Sequence, residues 1–281
     1  MVTIIADTTC SLPRPLYLRL NIPVLPQIII FGEESYRDDT EIDSETFLQK
    51  LEASSTLPKT AAPAPDLYHP IFTQLKESGQ TGIVITPSAE VSGTYRSAIV
   101  AAQDFPGVDI RVIDSRTVAG GLGQIVLMAH ELASQGVDAD TIEDRIKEMA
   151  SRERTYFVVD TLEYLHKGGR IGGAQALLGG LLQIKPILTL RDGRIQPVET
   201  QRTKQRALKR LHEIVVQECP SGSQAHITIA HVAADDEAAQ LADGFRQALS
   251  VTDIPIYIVP SAIIVHGGPK VLAVSFFTAP K

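Results

Sequence analysis

From its second residue the chain alternates short β-branched runs with amphipathic ones, and that alternation confines it to an α/β sheet. TIIAD (3–7) reads as a strand, PRPLYLRL (13–20) as a helix with proline in its first turn, and VLPQIIIFG (24–32) as a strand. EIDSETFLQKLEAS (41–54) predicts a helix entered through Asp43 or Ser44, with Phe47, Leu48 and Leu51 on one face. Thr81–Thr86 and Asp109–Asp114 are further strands, each followed by a helix. No internal repeat is present.

The pattern changes after about residue 150. TYFVVD (155–160) reads as a strand, and ILTLRDGRIQPVET (187–200) as a hairpin turning at Asp192-Gly193. A helix through Thr203–Gln217, the strand HITIAHV, a helix from Asp235 to Leu249, the strand IPIYIV and a closing strand VLAVSFFTA complete the pattern. With 281 residues, the expectation is a two-domain α/β protein. Residues 1–155 form a mostly parallel, Rossmann-like sheet with flanking helices; residues 156–281 form a mixed or antiparallel α/β domain.

Composition narrows the functional classes. The net charge of −7, with acids and bases interspersed, excludes a nucleic-acid binder that needs a basic face. The densest basic stretch, QRTKQRALKR (201–210), reads as a solvated helix face or a partner-docking surface. Cys10 and Cys219 stand apart, without the spacing of a zinc site or a disulfide framework. The N-terminus lacks the basic and apolar regions of a signal peptide, and no run reaches the length of a membrane span. The expected location is cytoplasmic, without stable membrane insertion.

In an open α/β sheet ligands gather beyond the carboxyl ends of the strands. Polar clusters placed there are Asp7-Thr8-Thr9, Ser92-Gly93-Thr94, Asp114-Ser115-Arg116, HKGGRIGG (166–173) and HGGP (266–269), the last following the apolar run AIIV. VSGTYRSA (91–98) supports two readings: a helix cap, or an anion site built from hydroxyls and helix N–H groups. Asp7 could hold a metal or a ribose, or simply make a turn. KGGRIGG lacks the spacing of a P-loop or a dinucleotide fold. Ser92 with His266 raises a hydrolase, but the nucleophile-elbow pattern GxSxG is missing.

Taken together, IIADTTCSLP, KTAAPAP, VSGTYRSA, VIDSRTVAGGLG, VVDTLEYLHKGGRIG and HGGP occur in an order that resembles the DegV family over nearly the full length. Characterised members are fatty-acid-binding subunits of bacterial fatty acid kinase. The resemblance implies a buried long-chain fatty acid as the ligand, with its carboxylate at the domain junction, and no metal or other cofactor. Thr60 matches the threonine of the T-S-x-P segment, Ser92, Gly93 and Thr94 the S-G-T signature, Arg170 the arginine of K-G-G-R-I, and His266 and Gly267 the start of H-x-G-P. Two departures are Ala61, where serine is usual, and Lys270, where glycine commonly follows H-x-G-P.

The implied partner is an ATP-dependent fatty acid kinase that phosphorylates the presented carboxyl group. The physics of such a ligand is coherent. A carboxylate leaving water needs charge-assisted hydrogen bonds, and a tail of about 15 methylenes is worth roughly 12 kcal/mol before ordering costs. AQALLGGLLQIKPIL (174–188) is a candidate wall for the tail, or plain helical core. The competing reading is a lipid-acting hydrolase using Ser92 and His266.

Overall fold

A computed structural model describes residues 1–178 and 184–280. In chain order its regular elements begin with β1 (Val2–Asp7), α1 (Arg14–Arg19), β2 (Val24–Leu25), β3 (Ile28–Phe31), β4 (Glu34–Arg37), α2 (Ser44–Ala53) and β5 (Lys59–Ala61). There follow α3 (His69–Ser78), β6 (Thr81–Thr86), α4 (Thr94–Gln103), β7 (Ile110–Asp114), α5 (Ala119–Ser134) and α6 (Ala139–Arg152). The second half comprises β8 (Glu153–Val158), α7 (Glu163–Lys167), β9 (Lys185–Arg191), β10 (Arg194–Gln201) and α8 (Lys204–Glu218). It closes with β11 (Thr228–His231), α9 (Asp235–Leu249), β12 (Ile256–Ile258), α10 (Ser261–Gly267) and β13 (Leu272–Phe277).

The first sheet has the order β2-β1-β6-β7 with every pairing parallel. Its central strands are apolar on both faces because helices cover both. Ile4, Ile83 and Ile85 pack with Leu122, Ile125 and Ile142, while Ile5 and Val84 pack with Phe72, Leu75 and Ala98. The second sheet, β10-β9-β8-β13-β11-β12, is antiparallel except for its β11/β12 edge. One face lies on α8 and α9 through Tyr156, Ile187, Leu211 and Phe245. The hairpin expected at Asp192-Gly193 joins β9 to β10, and both residues take positive φ, as a tight primed turn requires.

Two local expectations are corrected. VLPQIIIFG is two strands in different sheets: β2 ends beside Pro26, and β3 joins β4 and β5 in a separate antiparallel sheet. Pro26 has no N–H to continue a ladder, so the chain changes sheets there. AIIV lies in the helix α10. A four-residue apolar run carries too little periodicity to separate strand from helix, and Pro260 at its N-cap starts the turn.

The small sheet and α2 cover the other face of the second sheet, although they come from the first half of the chain. Ile29, Phe47 and Leu51 share a core with Phe157, Leu188, Ala273 and Val265. Among the described residues no helix is long and apolar enough to cross a membrane.

Candidate functional site

A cavity of about 980 Å³, open solvent at its mouth included, lies between the second sheet and the loops of the first. Its floor is apolar sheet face, with Phe157, Leu190, Ile195 and Ala273, and Val259, Ala262 and Ile263 close one side. Polar side chains converge at the other side. Thr60, Ser92, Gly93, Arg170, His266 and Gly267 all line it. Thr94 is fully buried behind Ser92 and contributes through a hydrogen bond.

Each polar group is positioned by local chemistry. Ser92 precedes α4, and its Oγ accepts the Thr94 backbone N–H at 3.2 Å, so the capping reading holds for this hydroxyl. Gly93 is the N-cap residue and is exposed at the mouth. Thr60 faces the cavity from β5 and Ala62 from just beyond its end, and the departure at Ala61 falls on the strand's opposite face, where a serine hydroxyl would point away from it.

Arg170 crosses between the halves. Its Nε donates to Val91 O at 3.0 Å and its Nη1 to Gly168 O at 2.8 Å, two of the five donors a guanidinium carries. Gly168 has a steric role, since a Cβ there would stand 2.3 Å from His266 Nδ1. The first glycine of KGGRIGG thus makes room for the imidazole, while Gly172 and Gly173 make room for Ile195 and Gln196.

His266 lies in the last turn of α10, and its Nε2 is 2.9 Å from Thr60 Oγ1. Its Nδ1 is buried without a hydrogen-bond partner among the described residues. Burial, aided by the nearby Arg170 charge, pushes its pKa down to about 4, so the ring is neutral at pH 7. Gly268 takes φ 78°, and a Cβ there would meet the Tyr164 ring at 2.5 Å. Lys270 adopts the left-handed φ of 62° that a glycine would occupy with less strain. It is exposed and outside the cavity wall; the Glu237 carboxyl is held low mainly by its hydrogen bond from Lys204, with the Lys270 charge a smaller contribution.

Behind Ser92 runs a buried polar network that the motifs alone did not reveal. Asp7 makes its expected turn, accepting the Thr9 N–H at 3.0 Å on Oδ1. Its Oδ2 also accepts from Gln27 Nε2 at 2.6 Å and Thr94 Oγ1 at 3.0 Å. Gln27 sits at the strand break beside Pro26, so a lone amide in an apolar run beside proline was the available signal. Asp38 accepts from Thr8 Oγ1 at 2.8 Å and from the Gln27 N–H at 2.8 Å. Burial pushes Asp7 up to about 6 and Asp38 up to about 7, the second helped by the charge of the first.

The floor also has a polar margin. Thr155 lines the cavity, and its hydroxyl donates to Glu153 and lies 2.7 Å from Ser275 Oγ. Burial holds the Glu153 carboxyl at about 7. Of the candidate wall 174–188, residues 174–177 belong to a short 3-10 segment, Gly172–Leu177, 179–183 lie outside the described residues, and β9 starts at Lys185.

A family model for uncharacterised proteins of the DegV family matches residues 1–279. The chain belongs to the DegV family. A DegV domain-containing protein of Streptomyces coelicolor is 38% identical over 275 residues, covering 97% of each chain. The solved structure of a fatty-acid-binding DegV protein from Thermus thermophilus aligns with TM-score 0.90 at 29% identity, covering 99% of both chains. DegV of Bacillus subtilis, described as a fatty acid binding protein, aligns at 0.88 with 27% identity over 99% of both chains. The mixed α/β architecture is thus that of the DegV fold.

Proposed function

We propose that this DegV protein binds a long-chain fatty acid and presents its carboxyl group to a separate ATP-dependent kinase in the cytoplasm. The observation that carries this reading is one cavity that joins an apolar sheet floor to a polar end built from Thr60, Ser92, Arg170 and His266. The acyl chain lies against the floor, where each buried methylene is worth about 0.8 kcal/mol. The carboxylate meets the two hydroxyls and the guanidinium at the junction of the halves, which divide near residue 155. Fatty-acid binding by the DegV proteins of T. thermophilus and B. subtilis supports the ligand class.

Exposure of Gly93 beside the half-buried Ser92 leaves the polar end open to a partner. There a carboxylate oxygen forms a bond to the γ-phosphorus of the partner's ATP as the bond to ADP breaks, giving an acyl phosphate. This chain's part is to hold and orient the acceptor. A hydrolase is disfavoured by the pairing of His266 Nε2 with Thr60, because no Ser92–His266 hydrogen bond forms among the described residues.

The test is mass spectrometry of small molecules released on denaturing the purified protein. A stoichiometric long-chain fatty acid is expected. Its absence, with no binding when fatty acid is added to folded protein, would overturn the reading.

A further inference from the structure

The hydroxyl of Thr94 has one proton and three polar neighbours. Asp7 Oδ2 lies at 3.0 Å, Gln27 Nε2 at 2.9 Å and Ser92 Oγ at 2.9 Å. An amide nitrogen only donates, and an ionised carboxylate only accepts. With Asp7 ionised, the Thr94 proton therefore goes to Asp7, and the Thr94 oxygen accepts from both Gln27 and Ser92. The Ser92 proton is then turned inward, and Ser92 shows the cavity a lone pair.

A proton on Asp7 Oδ2 reverses the chain. Asp7 donates to Thr94, Thr94 donates to Ser92, and the Ser92 hydroxyl is freed to donate into the cavity. Ser92 Oγ still accepts the Thr94 N–H, and Gln27 still donates to both neighbours, so both arrangements leave these groups satisfied. Only the second suits an anion at the polar end.

We propose that Asp7 sets the polarity of the Ser92 hydroxyl through Thr94, so that the protein takes up one proton on Asp7 for each carboxylate it binds. This rests on the fatty-acid reading above and adds a positioning residue to it. Burial makes Asp7 a ready acceptor, because it already raises the pKa of this carboxyl to about 6. Facing Asp7 are Asp38 from the loop after β4, Cys10 from the turn after β1, and Tyr68 from the turn before α3. Burial keeps the Cys10 thiol and the Tyr68 phenol protonated at neutral pH. Asp38 titrates nearby but has no hydrogen bond to Thr94 among the described residues. At the cavity itself the charged and titratable groups among the described residues are Arg170 and His266.

The experiment is calorimetric titration of delipidated protein with laurate at pH 8, in two buffers of different ionisation enthalpy, which counts protons taken up. Wild type is expected to take up close to one proton per laurate, with affinity falling about tenfold per pH unit above neutrality. In Asp7→Asn the side-chain amide donates to Thr94 permanently, with the Gln27 amide turned to present its oxygen. That variant is expected to bind laurate with no proton uptake and a flat pH profile. Thr94→Val loses the coupling, Thr94→Ser keeps it, and Asp38→Asn keeps it.

Uptake in Asp7→Asn equal to wild type, or a flat wild-type profile between pH 7 and 9, would overturn the proposal. So would a bound [1-13C]laurate whose carboxyl carbon resonates as the neutral acid at pH 8, since the proton would then sit on the ligand. Failure of wild type to bind laurate or any longer fatty acid would instead sink the underlying functional reading.

Discussion

Thr60 Oγ1 stands 2.9 Å from His266 Nε2, although 206 residues separate them in the chain. The contact exists because β5 belongs to the small sheet laid over the second half, where α10 ends. It brings a hydroxyl from the first half and an imidazole from the second to one polar end. Thr60→Val should leave the ring without this partner and weaken fatty-acid affinity about tenfold or more, matching about 1–3 kcal/mol for an unpaired buried polar group. Thr60→Ser should retain most of the affinity. Fluorescent fatty-acid titration of both variants checks this.

Arg170 ties Val91 to Gly168 through charge-assisted bonds. Arg170→Met should cost about 2–4 kcal/mol of stability, by analogy with hydrogen bonds to charged groups at about 1.5–3 kcal/mol each and with incomplete additivity. Ligand retention should fall with it. Arg170→Lys should recover little, because an ammonium cannot span both carbonyls in the same fork. Chemical denaturation and the lipid content of purified variants are the measurements.

The floor cluster makes a separate stability prediction. Thr155→Val removes the group that bridges Glu153 and Ser275 and should destabilise by about 1–3 kcal/mol. Thr155→Ser should be close to wild type. Equal denaturation midpoints for the two variants would contradict the bridging role.

Buried carboxyls give the pH dependence its sign. Asp7, Asp38 and Glu153 are held at about 6, 7 and 7, above their ordinary values of 3.8, 3.8 and 4.5. Groups raised in the folded state contribute stability that is complete below the ordinary carboxyl range and is lost as pH rises through 6 to 7. His266, lowered from 6.5 to about 4, works the other way, contributing above 6.5 and losing it as pH falls through 4. Burial also lowers the half-buried His226, and three carboxyls, two of them held at about 7, against these two imidazoles, whose effect ends near pH 6.5, predict that Tm of delipidated protein declines from pH 5.5 to 7.5. Glu153→Gln should flatten part of that decline.

What was legible in the sequence was local. Alternating apolar runs marked the strands, Asp192-Gly193 marked its hairpin, and six motifs in register pointed to the residues that meet at the polar end. What was not legible depended on partners far along the chain. Nothing adjacent to Gln27 reveals that it bonds Asp7, 20 residues earlier, and Thr94, 67 residues later. AIIV was too short for its period to be read, and the change of sheets at Pro26 is a tertiary event.

That change of sheets bears on how the chain must be made. The apolar faces of β3 and α2 leave the ribosome before the strands they cover. Roughly 110 residues separate Phe47 from Phe157, about 5–20 s of synthesis at ~5–20 residues per second. Until then Ile29, Phe47 and Leu51 have no partner from the second sheet. The first half therefore emerges with an apolar surface whose cover is completed only when the later strands and α10 arrive.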